Sequence, residues 1–381
     1  MQIGMRGRFA GAVVVASLLG LLAGCDDKKK PETPAAESGT EEDAGLPVNA
    51  GRLGAALASA ATVGGPAPTA NAAAGQGPPE NGIFAPGAAE AALPKSTPFK
   101  IEMLGEGSEP RVSLAPKHDA KAEQKSSVIL SLRMGGGQGL PALDFGLSFK
   151  ADKPKKDAAP AEAPSGTAMR AKLTSVVPAS MSPGGLPKEL VDAFSNLKGS
   201  EIHYQLAANN AVSELSIELS KGAEQGLRPI LDSLAEVIGL LTPALPDKPV
   251  GVGAMWMVTD RFVWPGAKIP VLRYRVFKIE KIEPNGAVSF SVDTRQYAEE
   301  ALAKLPDGAT ERPTTLDGFE SSGKGSLVWS PTGFAPSQGE IRQKLGAQFL
   351  PPNAPPGSTQ RAVLQSELIG RFQVPGAPAT P

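Results

Sequence analysis

From Phe99 onward the chain alternates apolar and polar residues over short runs, the period-two pattern of half-buried β-strands. Ile202, Tyr204 and Leu206 alternate with His203 and Gln205, Asn209-Asn210 makes a turn, and Leu215, Ile217 and Leu219 resume the alternation. Leu272 to Ile282 and Ala287 to Val292 flank Pro284-Asn285-Gly286, and Asn-Gly is the strongest short hairpin signal. A third hairpin is expected from Gly325 through Trp329, turning at Ser330 to Gly333 and returning through Phe334. Leu364, Leu368, Phe372 and Val374 fall on one face of a long strand near the C-terminus.

Two segments switch to the helical period. Pro187 precedes the stripe Leu190, Val191, Phe194 and Leu197, and Gly199 offers a stop. Leu227, Ile230, Leu231, Leu234, Val237, Ile238 and Leu241 follow the period until Pro243 prevents continuation. So apolar a helix must lie against the sheet, with Glu236 assigned to its outward side. The pattern predicts an α+β fold, predominantly antiparallel β: a curved β-sheet with one or two apolar helices packed on it. It forms one globular unit over residues 97–375, ahead of a short tail at 376–381. One continuous sheet is preferred to two lobes, because separate halves would each expose an edge. The Lys-, Pro-, Ala- and Glu-rich stretch at 153–166 is expected to be a disordered loop between two strands.

The first 96 residues follow neither period. Arg6 and Arg8 precede an apolar run from Phe9 to Leu22, too short for a ~30 Å hydrocarbon core, so residues 1–24 are expected to be an export signal. The run closes as Leu21-Leu22-Ala23-Gly24-Cys25, which resembles the lipobox of bacterial lipoproteins. The resemblance implies cleavage before Cys25, acylation of its thiol with chains such as palmitate, and a membrane held through that lipid. Residues 25–96 then read as a disordered tether, with only Arg52, Glu80 and Glu90 charged between Ala44 and Pro94.

Cys25 is the only cysteine, so neither a disulfide within the chain nor a CxxC metal knuckle is possible. Without Arg6 and Arg8 the chain keeps 36 basic against 39 acidic residues, net −3, which offers no electrostatic footprint for nucleic acid. With 43 glycines, 37 prolines and 5% aromatics, part of the chain cannot pack a core, and residues 25–96 fit that part.

Leu245-Pro246-Asp247-Lys248-Pro249-Val250-Gly251-Val252-Gly253-Ala254-Met255-Trp256 is similar to a PDxPVxxGxxW motif of uncharacterised bacterial lipoproteins. There the motif follows an apolar helix and opens a run of strands. The resemblance implies architecture and anchoring, and no activity. Read from the residues alone, Pro246 and Pro249 stiffen an extended connection, and Trp256 buries a large ring. Trp256 and Trp264 are also the candidates for lining a ligand groove.

Chemistry is sparse. His118 and His203 are the only histidines; His203 is expected to face solvent beside Gln205, and His118 lies in a charged run. Ser195-Asn196-Leu197-Lys198 and Ser321-Ser322-Gly323-Lys324 fit S-x-x-K but lack the partner motifs of the penicillin-recognising enzymes. Met134 to Gly139 is glycine-rich without the following helix a phosphate cradle needs, and Glu201, Glu214 and Glu218 fall on outward strand positions. The expectation is a non-enzymatic envelope lipoprotein with no cofactor or metal, acting by contact with an envelope protein or as a structural element. The alternatives are a carrier of a lipid or other hydrophobic ligand and, behind it, an enzyme. The membrane that holds it, inner or outer, stays open.

Overall fold

A computed structural model describes residues 79, 81–135, 140–152, 166–179, 186–264, 268–307, 310–350 and 359–373. The expected export signal, Cys25, the expected tether up to residue 78, residues 153–165 of the expected loop, Gly136 to Gly139 and the C-terminal tail lie outside them.

The described chain is mostly one antiparallel sheet. A short helix, α1 (Ala88–Ala92), precedes β1 (Phe99–Gly105), β2 (Glu123–Met134), β3 (Leu143–Ala151) and β4 (Thr167–Pro178). Helix α2 (Lys188–Ser195) leads to β5 (Glu201–Leu206) and β6 (Val212–Glu218), and then comes α3 (Arg228–Leu241). The second half is β7 (Met255–Trp264), β8 (Ile269–Ile282), β9 (Val288–Ala298), β10 (Leu302–Asp307), β11 (Thr310–Trp329), β12 (Gln338–Phe349) and β13 (Ala362–Gln373). The strand order is β1-β7-β8-β9-β11-β12-β13-β2-β3-β4-β5-β6, with β10 off this path and paired to β11. Local hairpins account for most neighbours. The exceptions are β9–β11, which passes over β10, the β13–β2 ladder, which joins the two halves mid-sheet, and β1–β7, which closes one flank.

Alternation sets the faces. On β8, Arg273, Arg275, Phe277 and Ile279 point toward α3, whereas Leu272 and Tyr274 point to the other face beneath α1. The Asn285-Gly286 hairpin forms as expected, with Asn285 Oδ1 accepting from the Ala287 amide at 3.0 Å. Helix α3 packs on β6, β11, β12 and β13 and hydrogen-bonds to β8, strands drawn from both flanks of the order, so the open sheet bends around it. Leu231, Leu234, Val237, Leu240 and Leu241 are fully buried there. Gly370 on β13 makes room: a Cβ at that position would stand 2.5 Å from a Val237 methyl. A second apolar cluster, including Trp264, Ile269, Val271, Phe319 and Phe349, lies farther along the same strands.

Three expectations need correction. Glu236 does not face solvent; it is 1% exposed, on the buried side of α3. Chain assigned to the tether belongs to the fold, because Ile83, Ala89 and Leu93 are buried against the sheet. The return strand of the third hairpin starts at Gln338 rather than Phe334, whose amide instead donates to Gln124 Oε1 at 2.6 Å.

Candidate functional site

The concentration of polar atoms inside the domain is a layer between α3 and the sheet. Asp260 comes from β7, Arg273 and Arg275 from β8, Thr294 and Gln296 from β9, Ser321 from β11, Gln343 from β12, and Glu236 from α3. All are buried. They occupy successive inward positions because the registers align them: Asp260 faces Arg273, Arg273 faces Gln296, and Gln296 faces Ser321.

Arg273 grips Asp260 with two bonds, Nε to Oδ1 at 2.9 Å and Nη2 to Oδ2 at 2.6 Å, the bidentate geometry that suits guanidinium and carboxylate. Arg275 Nη2 adds a third at 3.0 Å, while its Nη1 donates to the carbonyls of Gly239 and Thr242 at 2.6 and 3.3 Å. Those carbonyls end α3, where orphan acceptors and the negative pole of the helix favour a cation. Arg275 therefore ties the helix C-terminus to the strand and to Asp260 at once. Beside it, Gln296 Nε2 donates to Glu236 Oε1 at 3.2 Å, and Gln343 Nε2 to Ser321 Oγ at 3.1 Å.

The electrostatics follow from burial and pairing. Burial alone would raise the Asp260 carboxyl, but the two guanidiniums outweigh it and hold it below the usual range. Burial pushes Arg275 down to about 10, with Asp260 opposing and Arg273 reinforcing the shift; it stays cationic at neutral pH. For Glu236 burial dominates and raises the carboxyl, against Arg273 and the bonds from Gln296 and Gln343. Arg273 Nη1, Arg275 Nε, Thr294 Oγ1, Gln296 Oε1 and Gln343 Oε1 are buried without a protein partner. The layer contains no histidine base beside its serine and threonine, its Asp260 carboxylate is locked between two arginines, and its Glu236 carboxyl accepts from Gln296. It positions a helix.

At one rim the segments that connect the strands meet through small polar contacts. Asn210, at φ 66°, donates to the Pro243 carbonyl at 2.9 Å and lies 3.3 Å from His118 Nε2. His118 stacks on Phe334 at 5.1 Å, and burial, opposed by the Asn210 and Thr332 hydrogen bonds, lowers its pKa. A cavity of about 450 Å³ opens here between Ser113–Pro116, Ala207–Asn209 and Leu245–Asp247. The PDxPV segment is part of this seam: Val250 bridges Val112, and the Leu245 amide donates to Asn209.

The remaining candidates scatter. Trp256 is fully buried, donates from Nε1 to the Ala244 carbonyl at 2.7 Å, and packs on Phe277 and Phe290. Trp264, 6% exposed, belongs to the second cluster, so the two rings do not share a surface. His203 lies 3.6–3.7 Å from carboxylates of Asp152, Glu201 and Glu218. Ser195 Oγ donates to the Val191 carbonyl within its own helix. Ser321 is buried on the inner face of β11, whereas the Lys324 side chain is 89% exposed. Among the described residues no group of three or more His, Cys, Asp or Glu side chains is placed to hold a metal ion, and no helix is long and apolar enough to cross a membrane. The polar layer itself escaped the sequence reading. Its signal is the series of polar residues at inward strand positions, Asp260, Arg273, Arg275, Thr294 and Gln296, where apolar ones belong.

Neither the protein-family models nor the curated proteins compared with this sequence give a match.

Proposed function

We propose that this chain is a lipid-anchored protein of the bacterial cell envelope that works by presenting a rigid β domain to an envelope partner, or as a structural element. The observation that carries the reading is the filling of the sheet's concave side by the chain's own helix. Leu231, Leu234, Val237 and Leu241 of α3, with Trp256, Trp329, Phe277 and Phe290 of the strands, are all at most 1% exposed. A domain whose concave side is taken up by its own side chains offers its outer surface and its rim. The Cys25 motif supports the anchor, and the similarity of the Leu245 to Trp256 segment to lipoprotein motifs is in keeping with it.

A carrier of a hydrophobic ligand is the second reading, since a bent antiparallel sheet around a helix can frame one. It calls for an apolar cavity of several hundred Å³ between helix and sheet. The cavity of about 450 Å³ lies at the rim beside Asn209 and Asp247, lined by Leu114 and Leu245 as well as by polar groups.

Two measurements test the proposal. Cys25→Ala should leave the chain unprocessed or soluble, because no other thiol can accept lipid; a processed, membrane-bound variant would refute the anchor. Cross-linking in the native envelope should capture a defined protein partner. Native mass spectrometry showing a stoichiometric co-purified lipid would replace this reading by the carrier, and turnover on a substrate panel would replace it by an enzyme.

A further inference from the structure

The ladder between β9 and β11 runs from Val288–Trp329 to Gln296–Ser321 and then parts. The gap is filled by residues from the N-terminal side of the chain. The Phe319 amide of β11 donates to the Asn81 carbonyl, the Ala298 amide of β9 donates to the Gly82 carbonyl, and the Phe84 amide donates to the Ala298 carbonyl, each at 2.9 Å. Past the gap the Leu316 amide donates to the Ala301 carbonyl at 2.8 Å, and the β10–β11 hairpin continues from there. Asn81 to Phe84 thus sits in an opening bounded by paired backbone on both sides.

The fit is specific. Gly82 has φ +75°, and a Cβ on it would fall 1.5 Å from the Phe319 carbonyl oxygen, so no other residue is accommodated. Ile83 joins the second apolar cluster, and Phe84 contacts the Tyr297 ring at 6.0 Å. The chain then crosses the far face through α1, burying Ala89 and Leu93 against Leu272, before it reaches β1.

We propose that this slot is a mechanical clasp, which takes force arriving along the N-terminus and delivers it to the middle of the sheet. The proposal rests on the reading of a chain held at its N-terminus. Without the clasp, such force would act first on Phe99 and β1. That strand lies at the sheet's edge, among the described residues pairs with β7 alone, and carries a register break at Met103/Gly105, so its bonds would open one after another from the loaded end. With the clasp, load enters at Asn81 between two interior strands, and β1 is shielded by about 18 residues of bound chain.

The test is single-molecule extension of the mature chain, made without its signal so that Cys25 keeps a free thiol, pulled between that thiol and the C-terminus. Release of residues 81–98 ahead of the sheet would add a step of about 6 nm, from ~3.3–3.6 Å per extended residue. The wild type should show no such early step, and Gly82→Val, which cannot occupy the slot, should show it. An early low-force step in the wild type overturns the proposal, as does its absence in a Gly82→Val chain that circular dichroism shows to be folded. Should that variant not fold, amide exchange in the wild type decides: Ala298 and Phe319 exchanging as slowly as Val292 and Leu327 supports the clasp, and exchange as fast as β1 overturns it. Cys25→Ala fractionation is independent, so failure of the anchor and failure of the clasp are told apart.

Discussion

Glu236 and Gln296 meet across the interface between α3 and β9, the carboxyl accepting from the amide nitrogen at 3.2 Å with both residues 1% exposed. A carboxyl in this place is costly when ionised, because burial raises its pKa despite the nearby Arg273. In the unfolded chain it titrates near its ordinary value of 4.5. The folded value lies above this, so the native state binds the proton more tightly, and stability falls as the pH rises from the ordinary value through the folded one.

Glu236→Gln should therefore raise the urea midpoint at pH 7 and flatten its decline between pH 4.5 and neutrality. Equal pH slopes for variant and wild type would show that Glu236 titrates normally. Glu236→Lys puts a cation beside Arg273 and should cost about 3–5 kcal/mol, the size of an uncompensated buried charge.

Asp260 behaves oppositely. Its folded pKa is depressed, so the stability it contributes is present above its ordinary value of 3.8 and is lost as the pH falls through the folded one. Acid unfolding of Asp260→Asn should lack that component. Arg275→Met removes the donor to Gly239 and Thr242 and one of the two cations on Asp260, and should cost about 3–5 kcal/mol in urea melts.

Leu234→Asp should unfold the domain. The lost burial is worth ~1.5–3 kcal/mol and the stranded carboxylate several more, against a total stability of about 5–15 kcal/mol. Lys324→Gln, at a side chain 89% exposed, should stay within ~0.5 kcal/mol. Similar midpoints for the two variants would mean that α3 is not seated on the sheet.

Thr294→Val is a finer probe. The Thr294 hydroxyl is buried without a protein partner, and replacing such a group by a methyl of the same shape is neutral or stabilising. A loss of more than ~1 kcal/mol would show that the hydroxyl is hydrogen-bonded after all.

Sequence patterning reached α2, α3 and the hairpins around Asn209-Asn210 and Asn285-Gly286, where the alternation is clean and the turn residues are diagnostic. It failed where the inward face is not apolar. On β11 the inward positions include Ser321, Gly323 and Gly325. On β12 Gly339 and Gln343 interrupt an inward series whose other members, Ile341, Leu345, Ala347 and Phe349, do alternate with polar residues, so that strand was legible and was passed over. The same polar layer explains the misplacement of Glu236: periodicity assigns a charged residue to solvent unless its receiving partners are known. Residues 81–96 were lost in the Ala/Gly/Pro composition around them, since Ile83, Phe84 and Leu93 are too few to register. His118 was masked by the charges flanking it, although its ring stacks on Phe334.

The pairing of β2 with β13 sets the order in which the molecule can be finished. Ser127 and Gln373 are partners across 246 positions, and their ladder is the mid-sheet junction of the two halves. A ribosome, which delivers the chain N-terminus first, must release β13 before this junction can form. Until then β2 presents an unpaired edge carrying Val128 and Leu130, the kind of surface that recruits foreign strands. So non-local a closure also predicts slow folding. A nascent chain of this protein therefore carries that open edge until β13 has emerged.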